Sequence, residues 1–94
     1  MKTIYFIGGK NDIKRLCKKY DIYNGVGYTY QFENGYGASV VSHDGSYGGK
    51  QGLYEIAVLD SNGDLCYSTP ITDDVIGYAN EEKIKDTLDR IKSL

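Results

Sequence analysis

From Tyr28 to Val41 the chain reads "YTYQFENGYGASVV", with large apolar and polar residues alternating on either side of Asn34-Gly35. Period-two patterning is that of a half-buried strand. Asn-Gly favours a two-residue type I′ turn, because both of its positions take positive φ. The stretch therefore predicts an antiparallel hairpin with strands at 28–33 and 36–41 and Glu33 opposite Tyr36. In that register Phe32 faces Gly37, Tyr30 faces Ser39 and Tyr28 faces Val41, so that rings lie over small residues on the core face. Thr29, Gln31 and Glu33 then share the other face with Tyr36, Ala38 and Val40.

The rest of the pattern is read in the same way. "TIYFI" at 3–7 predicts a short strand, ended by "GGKND". Asn11 can cap a following helix in which Ile13, Leu16, Cys17 and Tyr20 fall at i, i+3, i+4 and i+7, with Lys14, Arg15, Lys18 and Lys19 around the remainder. "LYEIAVLD" at 53–60 predicts a third sheet strand, Asn62-Gly63 a turn, and "LCYST" at 65–69 a fourth strand ended by Pro70. "ITDDVIGYA" at 71–79 fits either an extended stretch or one helical turn across an end of the sheet. Asn80 caps a last helix, with Glu81 and Glu82 at its positive end and Ile84, Leu88 and Ile91 as its apolar stripe. The expected class is α+β: one antiparallel sheet of four to five strands with an N-terminal and a C-terminal helix packed on one face. A single domain spans 1–94, with a strand–helix segment at 1–24, the sheet at 25–79 and the terminal helix at 80–94.

Composition narrows what such a domain does. Ten tyrosines stand beside two phenylalanines and no tryptophan, and tyrosine suits positions that are apolar on one side and wet at one end. The net charge of −2 is unevenly spread. Residues 1–23 carry +4, residues 24–82 carry −8 and the last twelve carry +2. A nucleic-acid module is usually basic overall, and here only one short segment is, so direct nucleic-acid binding is not expected. No apolar run reaches the roughly 20 residues of a membrane span. Without a recognisable signal peptide, a cytoplasmic setting with Cys17 and Cys66 as reduced core thiols is the expectation.

Candidate chemistry is sparse. "GSYGGKQ" at 45–51 has too few residues between its outer glycines for a phosphate-binding loop and ends in Gln where Ser or Thr belongs. "DSNGD" starts like a calcium loop at Asp60, Asn62 and Asp64, but Leu65 occupies the glycine position and Ile71 the bidentate-acid position. One histidine and two cysteines cannot complete a Cys/His zinc site. His43-Asp44 reads as a turn pair, and the adjacent Asp73 and Asp74 point different ways and make a poor acid–base couple. The expectation is a protein that is not an enzyme, with no cofactor, metal or catalytic residue. The long connection 43–52 is left with two readings, a flexible hairpin end or a contact loop, since ten residues exceed the usual hairpin length.

From about Tyr28 onward the chain resembles a group of small phage- and prophage-encoded proteins. "NGYGASVV" (34–41), "SYGGKQGLYEIAVLD" (46–60), "TPITDDVIGY" (69–78) and the terminal helix carry the likeness, which covers roughly two thirds of the sequence. The resemblance implies no established activity and no functional residues. By analogy with small accessory phage proteins such as anti-CRISPR inhibitors, it implies binding to a host protein, with inhibition of a host defence enzyme such as a CRISPR effector as the leading expectation. The contact residues expected are Ser46, Tyr47, Lys50 and Tyr36, the acidic pair Asp73 and Asp74, and the basic face Lys14, Arg15, Lys18 and Lys19. Homodimerisation stays open. The competing reading is a nucleotide or small-molecule module built on the glycine-rich loop 43–52.

Overall fold

A computed structural model describes residues 17–72 and 74–94 of the chain. Five strands, β1 (Cys17–Ile22), β2 (Gly25–Gln31), β3 (Gly37–Ser42), β4 (Tyr54–Leu59) and β5 (Ile76–Ala79), form one sheet in the order β1-β2-β3-β4-β5, each antiparallel to its neighbour. A C-terminal helix, α1 (Glu81–Lys92), packs on β3, β4 and β5. The class is α+β, as the pattern predicts.

The core lies between α1 and one sheet face. Tyr28, Tyr30, Phe32, Ala38, Val40, Tyr54, Ile56 and Val58 supply the sheet side, and Ile84, Leu88 and Ile91 the helix side. The helix begins where expected, with the Asn80 side chain accepting from the Lys83 N–H at 2.9 Å. Glu81 and Glu82 stand at its positive end.

The β2–β3 hairpin forms, but one residue away from the predicted register. Tyr30 pairs with Ala38 and Tyr28 with Val40. The connection is a three-residue loop closed by Phe32 N–H to Tyr36 O at 2.8 Å, with Gly35 N–H donating to Phe32 O at 3.1 Å. Only Gly35 has positive φ (92°), so this is a type I turn followed by a left-handed glycine and not a type I′ turn. A shift of one residue exchanges the two faces of a strand. Ala38 and Val40 therefore join the rings in the core, and Ser39 and Val41 move to the opposite face. Burying Ala and Val beneath the rings is better than burying Ser39, whose hydroxyl would need a partner there.

Three further expectations are corrected. Cys17–Ile22 is a strand paired along its whole length with β2, so the amphipathic helix does not extend through Cys17 and Tyr20. The remainder of that helix, and the strand at 3–7, lie outside the described residues. The Tyr20 ring covers Gly27, where an added Cβ would meet the ring. This strand–strand contact outweighs the weak helical periodicity. Residues 65–69 are not a strand: Leu65 makes a single bridge to Leu59, and Cys66 N–H donates to Val58 O at 2.8 Å before the chain leaves the sheet. The strand that pairs with β4 comes instead from the ambiguous stretch, as Ile76–Ala79. Cys66 is consequently half-buried on an irregular segment and not a core strand thiol.

Two core polar groups allow stability tests. Thr87 is fully buried on α1, and its hydroxyl has no hydrogen-bond partner among the described residues. Thr87→Val keeps the shape and removes the desolvated hydroxyl, and should raise stability by about 1 kcal/mol in a denaturant titration; a loss of that size would mean the hydroxyl is satisfied. Burial, and then the charge of Glu81, hold the Tyr54 phenol above the ordinary tyrosine value of 10.0. A raised folded-state value means that the unfolded chain gives up this proton first as pH rises. The stability this group contributes is complete below about pH 10 and is lost as pH climbs through the folded-state value. Tyr54→Phe should flatten the alkaline limb of the stability curve, read as melting temperature against pH.

Candidate functional site

The turn between β1 and β2 and the connection between β3 and β4 lie at the end of the sheet opposite the Asn34-Gly35 hairpin. At the first of these, Tyr23 and Asn24 form a two-residue turn with φ of 42° and 61°. At the second, residues 43–53 form an ordered loop. The Ser46 hydroxyl accepts from His43 N–H at 2.9 Å and donates to His43 O at 3.0 Å. The imidazole Nδ1 of His43 accepts from Gly45 N–H at 3.0 Å. A single 3-10 turn, Gly49–Gln51, follows and is closed by Leu53 N–H to Gly48 O at 2.9 Å.

The loop is pinned to three neighbours. Tyr47 N–H donates to the Glu55 carboxylate on β4 at 3.0 Å. Tyr78 N–H on β5 donates to Tyr47 O at 3.2 Å, and Asp44 N–H to Tyr23 O at 3.4 Å. Asn24 adds a side-chain hydrogen bond to Asp44, and the Tyr23 ring meets His43 edge-on at 5.4 Å. Gly77 makes the closest of these approaches possible, because a Cβ there would sit 2.7 Å from Tyr47 Cβ. The connection is thus hydrogen-bonded to β4, β5 and the first turn.

These anchors hold three tyrosines outward. Tyr23 is 73% exposed, and Tyr47 and Tyr78 are each 59% exposed. Tyr78 stands where the β4–β5 register shifts, on an edge strand, with φ of 53°. Bulges of this kind re-aim a side chain and recur beside functional sites. A left-handed backbone disfavours any residue with a Cβ, and the rings at 23 and 78 bury little that would offset that cost. Lys50 and Gln51 are exposed beside Tyr78, around an open depression of about 270 Å³ that Asp44, Ser46 and Gly48 complete.

The expected contact residues are not brought together. Tyr47 and Lys50 belong to this end and are exposed, whereas the Ser46 hydroxyl is committed to the loop itself. Tyr36 lies at the opposite end, half-buried against the core. Asp74 is exposed in the connection before β5, and Lys19 is exposed on β1. Lys18 lies on the same strand. Lys14, Arg15 and Asp73 lie outside the described residues. Tyr23 and Tyr78 escape the sequence pattern because each reads as one more strand or turn tyrosine. The one legible sign was Tyr-Asn-Gly after an apolar residue, which marks a turn.

No protein-family model, curated protein or solved structure matches the chain. The geometry itself also bears on the phosphate-loop reading. The N–H groups of His43, Asp44, Gly45, Ser46, Tyr47, Gly49, Gln51, Gly52 and Leu53 all donate within the protein. A phosphate cradle needs such amides turned outward. Among the described residues, no group of three or more His, Cys, Asp or Glu could hold a metal ion, and no helix is long and apolar enough to cross a membrane.

The left-handed conformation makes Tyr78 a direct test of display against structure. Tyr78→Gly relieves the steric cost of positive φ, about 1–2 kcal/mol, and gives back part of it as glycine's chain entropy. The expected outcome is equal stability or a gain of up to about 1 kcal/mol, measured by chemical denaturation. A loss beyond 1 kcal/mol would show that the ring serves the fold.

Proposed function

We propose that this chain works by binding another protein through the tyrosine-bearing end of its sheet. The observation that carries the reading is the display of Tyr23, Tyr47 and Tyr78 on a hydrogen-bonded platform, two of them on left-handed backbone. Large exposed aromatics presented from a hydrogen-bonded backbone supply contact area, and tyrosine is among the residues that dominate interface energetics. Lys50 and Asp44 at the rim add charge of both signs, which tunes encounter rate and partner choice more than affinity. The resemblance to phage-encoded proteins supports a host protein as the partner, and inhibition of a host defence enzyme such as a CRISPR effector as the outcome of binding.

A nucleotide or small-molecule module is the weaker reading. Nine of the eleven amides of 43–53 donate within the protein, and the depression beside Tyr78 is open and falls short of the roughly 300–1,000 Å³ of ordinary ligand pockets. Its test is a thermal-shift screen with nucleotides on the isolated protein.

The binding reading ranks substitutions. With the partner captured from host lysate and titrated by calorimetry, Tyr47→Ala or Tyr78→Ala should each cost about 1–3 kcal/mol of affinity. Lys50→Ala should cost less and act mainly on association rate and its salt dependence. Melting temperatures should stay near that of the parent protein. Tyrosine variants that bind as tightly as the parent would exclude this surface, and Tyr36→Ala or Lys19→Ala would then test the other faces.

A further inference from the structure

Asn34-Gly35 carries a chemistry that neither the hairpin nor the helix uses. The backbone nitrogen of a glycine that follows asparagine, once deprotonated, can attack the asparagine side-chain carbonyl carbon. The new C–N bond closes a succinimide, the bond from Cγ to Nδ2 breaks, and the side-chain nitrogen leaves as ammonia. Water then opens the ring. Attack at Cγ leaves aspartate, and attack at the main-chain carbonyl leaves isoaspartate, with the backbone rerouted through the side chain. Water is the only co-reactant.

The fold occupies every group this reaction needs at Asn34. The nucleophilic Gly35 N–H donates to Phe32 O at 3.1 Å. The leaving group, Asn34 Nδ2, donates to Ile91 O at 2.8 Å, Lys92 O at 3.2 Å and Leu94 O at 3.3 Å. The carbonyl oxygen, Oδ1, accepts from Tyr36 N–H at 3.0 Å. The Asn34 amide thus joins the Ser93 and Leu94 N–H groups and the Ser93 hydroxyl in closing the C-terminal end of α1, whose last carbonyls lack the usual partner within the helix. The same dipeptide recurs at Asn24-Gly25 and Asn62-Gly63. Asn62 is exposed in a surface turn where the Gly63 N–H is likewise held, by Asp60 O at 3.0 Å, so the two sites differ in the side-chain amide, which at Asn62 meets no helix end among the described residues.

We propose that Asn34-Gly35 is a self-modification site gated by the last turn of α1. It converts when that turn opens, and conversion prevents the turn from closing again. Aspartate at this position offers no donor to the three carbonyls and sets a negative charge at the negative end of the helix. Isoaspartate lengthens the backbone of a turn whose geometry depends on left-handed Gly35. The site is therefore a one-way record of local opening at the C-terminal end of the helix.

The test is peptide mapping by mass spectrometry of the full chain, aged at neutral pH in native buffer and in denaturing guanidinium, with Asn62 as the internal reference. In native buffer, acid and isoaspartate products should accumulate at Asn62 well before Asn34, and in denaturant the two sites should convert at similar rates. Asn34→Asp should lower the melting temperature and the helical circular dichroism. Equal conversion at Asn34 and Asn62 in native buffer would overturn the gating. An Asn34→Asp protein with unchanged melting temperature and helicity would overturn the latch. If that variant does not fold, the native-against-denatured comparison of the parent protein decides alone.

Discussion

Ile84, Leu88 and Ile91 of α1 are buried against Tyr28, Tyr30, Phe32 and the small residues Ala38 and Val40, and this seam determines how the chain is arranged. A helix of this length has little stability alone in water and depends on burying its apolar stripe. The sheet depends equally on the helix, because an antiparallel sheet needs a covered face to hold its register. The seam therefore selects the β2–β3 register. The pairing that turns Ala38 and Val40 toward the rings buries apolar atoms, whereas the neighbouring pairing would bury a serine in their place.

That choice has consequences at both ends of the sheet. At the hairpin end, the register produces a three-residue loop in place of a two-residue one, which frees the Asn34 side chain to reach the end of α1. A turn residue thereby becomes a helix cap contributed from a distant part of the chain. At the other end, the loop that joins β3 to β4 organises itself through its own hydrogen bonds, with Glu55, Tyr78 and Tyr23 as anchors. One end of the molecule is closed by capping, and the other is an ordered platform that turns aromatic rings toward solvent.

The two ends also differ in how they use unfavourable backbone. Gly35 takes positive φ where a turn requires it and the residue suits the conformation. Tyr23 and Tyr78 take it with a full side chain. Strain of this sort persists only where surrounding structure holds it in place, and it collects where a side chain must point in a particular direction. Around Tyr78 that structure is the β4–β5 bulge and the hydrogen bond to Tyr47, which together aim the ring away from the sheet.

Local sequence determined the elements whose signals are short-range. The helix at 81–92 follows from Asn80, two acids and an apolar stripe. The strands around 28–31, 37–41 and 54–59 follow from alternation, and a turn at 33–35 follows from Asn-Gly. These rest on neighbours a few residues apart, and periodicity reports them directly. Only the tertiary structure decided the register of the hairpin, because two pairings one residue apart satisfy the same local rules and differ only in what they place beneath the helix. It also decided that Cys17–Ile22 is a strand, since a partner at Gly25–Tyr30 outweighs weak helical spacing. Strand status passed from 65–69 to 76–79 because the edge of β4 accepts only a short bridge before the bulged strand arrives. The tyrosine platform was the least legible feature. Tyr23, Tyr47 and Tyr78 are separated by 24 and 31 residues along the chain, and only the hydrogen bonds that fold the loop back onto β4, β5 and the first turn bring them to one end.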